Sequence, residues 1–204
     1  SDHGDYLGDH WLGEKEQFHE ESVRIPFIVY DPNPEADGTR GLVDDRLVES
    51  IDLVPTFIDA AEGEIPHHIL EGRSLMPIMH GEKPDDWRTY AVSESEYGAR
   101  TAYWEHDILA HEARATMIRT HDWKYVFFES FRPQLFDLKN DPEELNDLGD
   151  DPAYEDVRQE MKDMMFESLR HRRTRVTRDE AYMRKRSEGS LDRVKKKPVI
   201  LGRW

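Results

Sequence analysis

The feature that most constrains the fold is a continuous apolar run, Ile25–Tyr30, which lies between two polar segments. A strand that is buried on both faces shows such a run, because helices cover both sides of a parallel sheet. The run stops at Asp31–Pro34, which contains two prolines. The segment before it, Asp2–Glu21, is polar, rich in His and Gly, and lacks a sustained period, as is typical of a loop. The sequence therefore predicts one unit of an α/β domain.

A short helix is predicted further along, over Leu53–Ala61. Asp52 precedes this segment in the capping position, Pro55 lies in its first turn, and Gly63 follows it. Each of these residues is typical of the helix end at which it occurs. A strand followed by a helix fits the last unit of an α/β domain.

The pattern then changes to short strands, which are predicted over Tyr90–Glu94, Ala115–Thr120, Trp123–Phe128 and Gln134–Leu138. His121–Asp122 suits a hairpin turn between the second and the third of them. Asp151–Pro152 opens an amphipathic helix, whose apolar residues recur at spacings of three and four as far as Leu169. Neighbouring strands followed by one helix predict a small antiparallel α+β subdomain.

The formal net charge of −16 is divided unevenly along the chain. Residues 170–204 carry a net charge of +9, whereas residues 1–169 carry −25. A basic tail on an acidic body is able to bind nucleic acid or anionic lipid. Packing of the tail on an acidic surface, its own or that of a sister subunit, explains the same pattern and is favoured, because such a surface is available.

Two functional classes are excluded by composition. No stretch approaches the ~20 apolar residues that a membrane-spanning helix needs. The sequence contains no Cys, which rules out disulfides and a Cys nucleophile within it.

Side chains that bind metals occur at the start of the chain, where Asp2 and His3 are adjacent and precede Gly4. A carboxylate and an imidazole are able to share one divalent metal if the backbone turns sharply, and Gly permits such a turn. A helix cap or an ordinary surface loop explains the same pair, so the spacing alone leaves both interpretations open. In α/β sheets, ligands bind beyond the carboxyl ends of the strands, where a loop of this kind would lie.

Four elements follow one another from the start of the chain: Ser1–His10, Lys15, Glu20–Pro26 and Ile51–Thr56. Together they resemble the metal-loop region and the following helix of sulfatases in the alkaline phosphatase superfamily. Three later elements resemble the phosphonate monoester hydrolase branch of that family in particular: Glu112–Arg119, Phe131–Pro142 and the tail ending in Gly202–Trp204. The resemblance runs in order over nearly the whole chain.

The resemblance implies a role for three residues. Asp2 and His3 would be two ligands of a catalytic divalent metal, and Lys15 would bind the anionic oxygens of the substrate during catalysis. A nitrogen ligand in an oxygen-rich site favours Mn²⁺, Zn²⁺ or Fe²⁺, with Ca²⁺ as the alternative. The substrate would be a small anionic ester, whether a phosphonate, a phosphate or a sulfate. For Lys15, the alternative is an ordinary solvated loop lysine.

Other polar residues near the start are interpreted as structural. His10 and His19 are predicted to be surface or hydrogen-bonded histidines, with support of the metal ligands as the alternative. Glu20, Glu21 and Arg24 are predicted to form ion pairs and hydrogen bonds with one another where the apolar run begins.

The predicted architecture is α/β, with three parts. Residues 1–82 would be the C-terminal end of an alkaline-phosphatase-like α/β domain, residues 83–172 a small antiparallel α+β subdomain, and residues 173–204 an extended basic tail that serves oligomerisation. The resemblance also implies a formylglycine nucleophile made from a Cys/Ser-x-Pro-x-Arg motif, which this sequence lacks.

The sequence therefore predicts the C-terminal part of a hydrolase that is inactive by itself. Its expected partners are the substrate, the missing N-terminal half of the protein and further copies of itself, without nucleic acid or membrane. The alternatives are a non-catalytic oligomerisation module and a basic-tailed nucleic-acid-binding protein. The compartment stays open, with the cytoplasm slightly favoured.

Overall fold

The computed structural model describes residues 1–15, 17–97, 108–173 and 177–186. The helices are α1 (Glu20–Val23), α2 (Leu53–Ala60), α3 (Met76–Met79) and α4 (Glu155–Arg170), and residues 180–186 are also helical. The strands are β1 (Ala91–Glu96), β2 (Arg114–Arg119), β3 (Trp123–Phe128) and β4 (Gln134–Asp137). Short 3-10 turns occur at Asp9–Trp11, Pro34–Ala36, Ser50–Asp52, Ala110–Glu112 and Pro152–Tyr154.

The four strands form one antiparallel sheet in the order β1-β2-β3-β4. Ile118 lies opposite Tyr125, which in turn lies opposite Leu135, so these apolar side chains share one face of the sheet. Helix α4 covers this face and contributes Met161 and Met165 to the core. The hairpin and the antiparallel sheet with its helix agree with the sequence prediction.

The opposite face of the sheet is covered by the N-terminal part of the chain. Met117 and Val126 lie opposite each other on β2 and β3, and Phe18 packs against both of them. Phe18 is buried, although the segment around it is polar. The sheet thus supports the segment that carries the predicted metal ligands.

Helix α2 forms as predicted, but the Asp52 side chain does not make the hydrogen bond of a helix cap to it. Glu49 is the N-cap of the preceding 3-10 turn, and the Asp52 carboxylate accepts a hydrogen bond of 2.9 Å from the Glu49 backbone N–H. The same carboxylate is fully buried, where it pairs with the Arg88 guanidinium and accepts from the Arg73 N–H at 2.8 Å. Asp52 therefore joins the start of α2 to the segment that leads into β1.

The strand predicted over Ile25–Tyr30 is absent. This segment has no regular secondary structure and pairs with no strand among the described residues, and Ile28 is 95% and Tyr30 72% exposed. A strand needs a neighbour to take up its backbone hydrogen bonds, and the described part of the chain places none beside it. The apolar run therefore forms an exposed surface in this chain.

The predicted basic tail falls mostly outside the described residues, because 174–176 and 187–204 are not among them. Its role in oligomerisation stays a prediction, as do the boundaries at residues 82 and 172. Among the described helices, none has the length together with the apolar character that crossing a bilayer requires.

Candidate active site

Residues 4–15 form a loop that helix α1 closes at its base. The two sides of the loop are joined by a hydrogen bond of 2.9 Å from the Tyr6 N–H to the Glu14 carbonyl, and the turn Asp9–Trp11 forms the tip. The Gly4 N–H donates to the Ser22 carbonyl at 2.8 Å. The first residues of the chain are therefore attached directly to α1.

Gly4 is needed for a reason that the sequence did not indicate. Its backbone does not adopt a positive φ, which among the described glycines is found at Gly8, Gly41 and Gly81. A Cβ atom on Gly4 would lie only 1.8 Å from the Glu21 carbonyl oxygen. The absence of a side chain therefore allows the metal-ligand segment to lie directly against helix α1.

Asp2 and His3 lie side by side at the surface. The distance between His3 Nε2 and Asp2 Oδ2 is 3.8 Å, which is near the ~3–4 Å that separates two ligand atoms of one ion with bonds of about 2.1 Å. His3 Nδ1 lies 2.6 Å from the Gly4 carbonyl oxygen. Because a carbonyl only accepts, Nδ1 carries a proton, and in the neutral ring Nε2 is then the nitrogen with the free lone pair. The pair thus fits a divalent metal.

Lys15 lies at the other end of the loop and faces the same space. Its carbonyl accepts a hydrogen bond of 3.2 Å from the Ser22 hydroxyl, while its side chain is exposed. A hydrogen bond from the backbone N–H of Asp2 itself, together with the charges of His3 and Lys15, lowers the pKa of the Asp2 carboxyl. Lys15 therefore lies near enough to Asp2 for their charges to interact.

Asp2, His3 and Lys15 belong to the lining of a cavity of about 1380 Å³. The cavity is larger than the ~300–1,000 Å³ of usual small-ligand pockets. Its lining also includes the exposed apolar residues Ile28 and Val43. Within the described residues, no group of three or more His, Asp or Glu side chains is placed to hold a metal, so Asp2 and His3 would by themselves form an incomplete site.

His10 and His19 stabilise the loop from inside. Their rings are stacked with centroids 4.0 Å apart, and the Tyr6 hydroxyl lies 2.8 Å from His19 Nδ1. Burial, with a smaller effect from the His10 charge, lowers the pKa of His19 to about 4. His19 is therefore a hydrogen-bonded histidine, as favoured from the sequence, and His10 packs on its ring with Nε2 3.6 Å from the Glu21 carboxylate.

The ion pairs of Glu20 differ from the prediction. Its carboxylate receives two hydrogen bonds of 3.0 Å from the Arg119 guanidinium and lies 2.8 Å from the Lys124 ammonium, so its partners come from the sheet rather than from Arg24. Lys124 is fully buried and also pairs with Glu144 at 2.7 Å. These partners lie 99 to 124 positions from Glu20, which hides them from sequence reasoning. The signal that the sequence offers is Lys124 itself, a charged residue between the aromatic residues Trp123 and Tyr125 of a predicted strand.

Comparison with known proteins places this chain in a family. The family model described as N-sulphoglucosamine sulphohydrolase, C-terminal, matches residues 8–171. The multifunctional alkaline phosphatase superfamily protein PehA of Trinickia caryophylli is 36% identical over 159 residues, which are 76% of this chain and 30% of that protein. An arylsulfatase of Clostridium perfringens is 32% identical over 173 residues, 84% of this chain and 33% of that protein.

The fold agrees with the sequence comparison. The crystal structure of the phosphonate monoester hydrolase of Agrobacterium radiobacter superposes with a TM-score of 0.73 and 30% identity over 82% of this chain and 33% of that one. This likeness confirms the predicted alkaline-phosphatase-like fold with its antiparallel sheet. The chain spans about 30% of the length of the curated relatives that it matches. The chain therefore belongs to the C-terminal family of N-sulphoglucosamine sulphohydrolases, within the sulfatases of the alkaline phosphatase superfamily.

Proposed function

We propose that this chain supplies part of the active site of a metal-dependent hydrolase that cleaves sulfate, phosphonate or phosphate esters. One observation carries the proposal: in a member of the sulfatase family, Asp2, His3 and Lys15 line the same cavity. A carboxylate, an imidazole and an ammonium form a set suited to an anionic ester, whose negative charge is spread over several oxygens.

Asp2 and His3 would hold the metal through a carboxylate oxygen and the unprotonated Nε2. The nitrogen ligand favours Mn²⁺, Zn²⁺ or Fe²⁺, and Ca²⁺ is the alternative. When bound, the ion supplies Lewis-acid stabilisation to the ester oxygens. The Gly4 carbonyl keeps His3 in the tautomer that ligation requires.

Lys15 would bind the non-bridging oxygens of the ester. Its ammonium is a compact charge on a flexible stem, and Ser22 fixes the backbone from which that stem extends. Negative charge shifts onto the leaving and equatorial oxygens as the bond breaks, so Lys15 would stabilise the transition state more than the bound substrate.

The remaining parts of the site would come from a longer protein. The proposed nucleophile is a formylglycine in an N-terminal portion that packs into the large cavity. The exposed apolar residues Ile28, Tyr30 and Val43 support this arrangement, because exposed apolar patches mark surfaces that bind a partner. Assembly into a homo-oligomer through the basic tail stays a prediction.

Replacement of Lys15 by Ala in the complete enzyme tests the proposal. We expect kcat/KM on an aryl sulfate or an aryl phosphonate to fall by ~10²–10³-fold, as on loss of one oxyanion donor. The metal content and the melting temperature should stay constant, because the Lys15 side chain is exposed. Lys83→Ala, which removes another exposed loop lysine away from the cavity, is the control. A loss of less than threefold in kcat/KM on both substrates would show that Lys15 is an ordinary solvated loop lysine.

A further inference from the structure

We propose that Lys124, Glu20 and Glu144 form a buried ion cluster through which the antiparallel sheet positions the active-site loop. The three are positioning residues, because their charged groups pair with one another and with Arg119. The inference about catalysis rests on the proposed function, whereas the inference about loop position does not.

The cluster joins three separate parts of the chain. Lys124 lies on β3, Glu20 begins helix α1, and Glu144 follows β4. The Lys124 ammonium lies 2.8 Å from the Glu20 carboxylate and 2.7 Å from the Glu144 carboxylate. Glu144 also accepts a hydrogen bond of 2.6 Å from the backbone N–H of Glu20. Helix α1 is therefore attached to the sheet by its side chain and by its backbone.

Because the charged groups of the cluster are buried, they favour one position of α1 on the sheet. The side chains of Lys124 and Glu144 are fully buried, and that of Glu20 is only 13% exposed. Burial alone would raise the pKa of Glu20, but hydrogen bonds from Arg119 and Lys124 lower it to about 2. Buried charges that lose a partner are strongly unfavourable, so α1 has one favoured position on the sheet.

Helix α1 passes this position on to both ends of the active-site loop. The Ser22 carbonyl accepts from the Gly4 N–H at 2.8 Å, directly after the proposed metal ligands. The Ser22 hydroxyl donates to the Lys15 carbonyl at 3.2 Å, and its side chain is buried. A single residue of α1 thus sets the separation between Lys15 and the Asp2–His3 pair. A displacement of about 1 Å in such a separation is able to cost ~10²-fold in rate.

The test replaces Lys124 with Met in the complete enzyme and uses Arg88→Met as the matched control. Arg88 pairs with the equally buried Asp52, and that pair joins α2 to the start of the sheet without contacting α1. Both substitutions leave a buried carboxylate without its partner. Activity is assayed well below both melting temperatures, and amide hydrogen exchange is measured at Gly4. Glu20→Gln is the second variant, because it keeps the side-chain shape and the backbone bond to Glu144.

We expect Lys124→Met and Glu20→Gln to lower kcat/KM by ~10-fold or more, mainly through kcat, and to accelerate exchange at Gly4. Arg88→Met should lose less than threefold in kcat/KM at a comparable drop in melting temperature. Equal losses of kcat/KM in Lys124→Met and Arg88→Met would overturn the inference. An unchanged exchange rate at Gly4 would also overturn it. If Lys124→Met does not fold, Glu20→Gln is judged by the same two criteria. Faster exchange at Gly4 together with an unaffected Lys15→Ala enzyme would uphold the positioning and overturn the proposed function.

Discussion

Substitution of Gly4 by Ala is the most direct perturbation of the proposed site. The new Cβ atom would lie 1.8 Å from the Glu21 carbonyl oxygen, whereas such contacts are not closer than 3.0 Å, so the loop and α1 must separate by 1.2 Å. The obstacle is backbone rather than the end of a flexible side chain, and it is therefore unable to rotate away. Overpacking of this kind costs about 1–3 kcal/mol of stability, and misplacement by about 1 Å costs ~10²-fold in rate.

Kinetics and thermal unfolding of the Gly4→Ala enzyme measure the two effects separately. We expect kcat/KM to fall by ~10²-fold while the enzyme still unfolds cooperatively at a lower temperature. Gly13→Ala is the matched control, because Gly13 lies in the same loop with no atom within 4 Å of its added Cβ and without a positive φ. A Gly4→Ala enzyme with activity within threefold of the Gly13→Ala enzyme would refute the close-approach argument.

Two further predictions concern histidines of the same region. His3→Ala should lower metal content and activity together. An unchanged metal stoichiometry by elemental analysis would show that His3 is not a metal ligand. In the folded protein the pKa of His19 is about 4, whereas in the unfolded chain it has its ordinary value of 6.5. As the pH falls below 6.5, the unfolded chain therefore binds a proton that the folded protein does not, and the folded state loses stability. With allowance for solvent screening, about 1–2 kcal/mol should be lost. The melting temperature should therefore decline between pH 6.5 and 5, and an equal decline in His19→Gln would contradict this assignment.

Elements whose determinants are local could be predicted from the sequence. The hairpin of β2 and β3 follows from apolar strands on either side of His121–Asp122, and α4 follows from its apolar spacing and from Asp151, whose carboxylate accepts from the Ala153 N–H. The adjacency of Asp2 and His3 is likewise a property of the sequence. In each case the residues that decide the structure are neighbours in the chain.

Elements whose determinants are distant could not be predicted. The run Ile25–Tyr30 has the composition of a buried strand, but pairing depends on neighbours that the described residues do not contain. The role of Gly4 depends on the position of α1, and the partners of Glu20 lie on the sheet. Sequence patterns report the preference of a segment, whereas these features depend on what the completed fold places beside it.

The ion cluster has a consequence for the order in which the protein folds. The four strands pair with their immediate successors, so the sheet is able to close soon after its residues are synthesised. The contact between Glu20 and Glu144 spans 124 positions, and its loop-closure entropy must be overcome before α1 is held. Until residue 144 has left the ribosome, α1 lacks one of the buried charges that fix it. Although α1 precedes the sheet in the chain, it thus reaches its final position after the sheet, and the proposed site is completed only then.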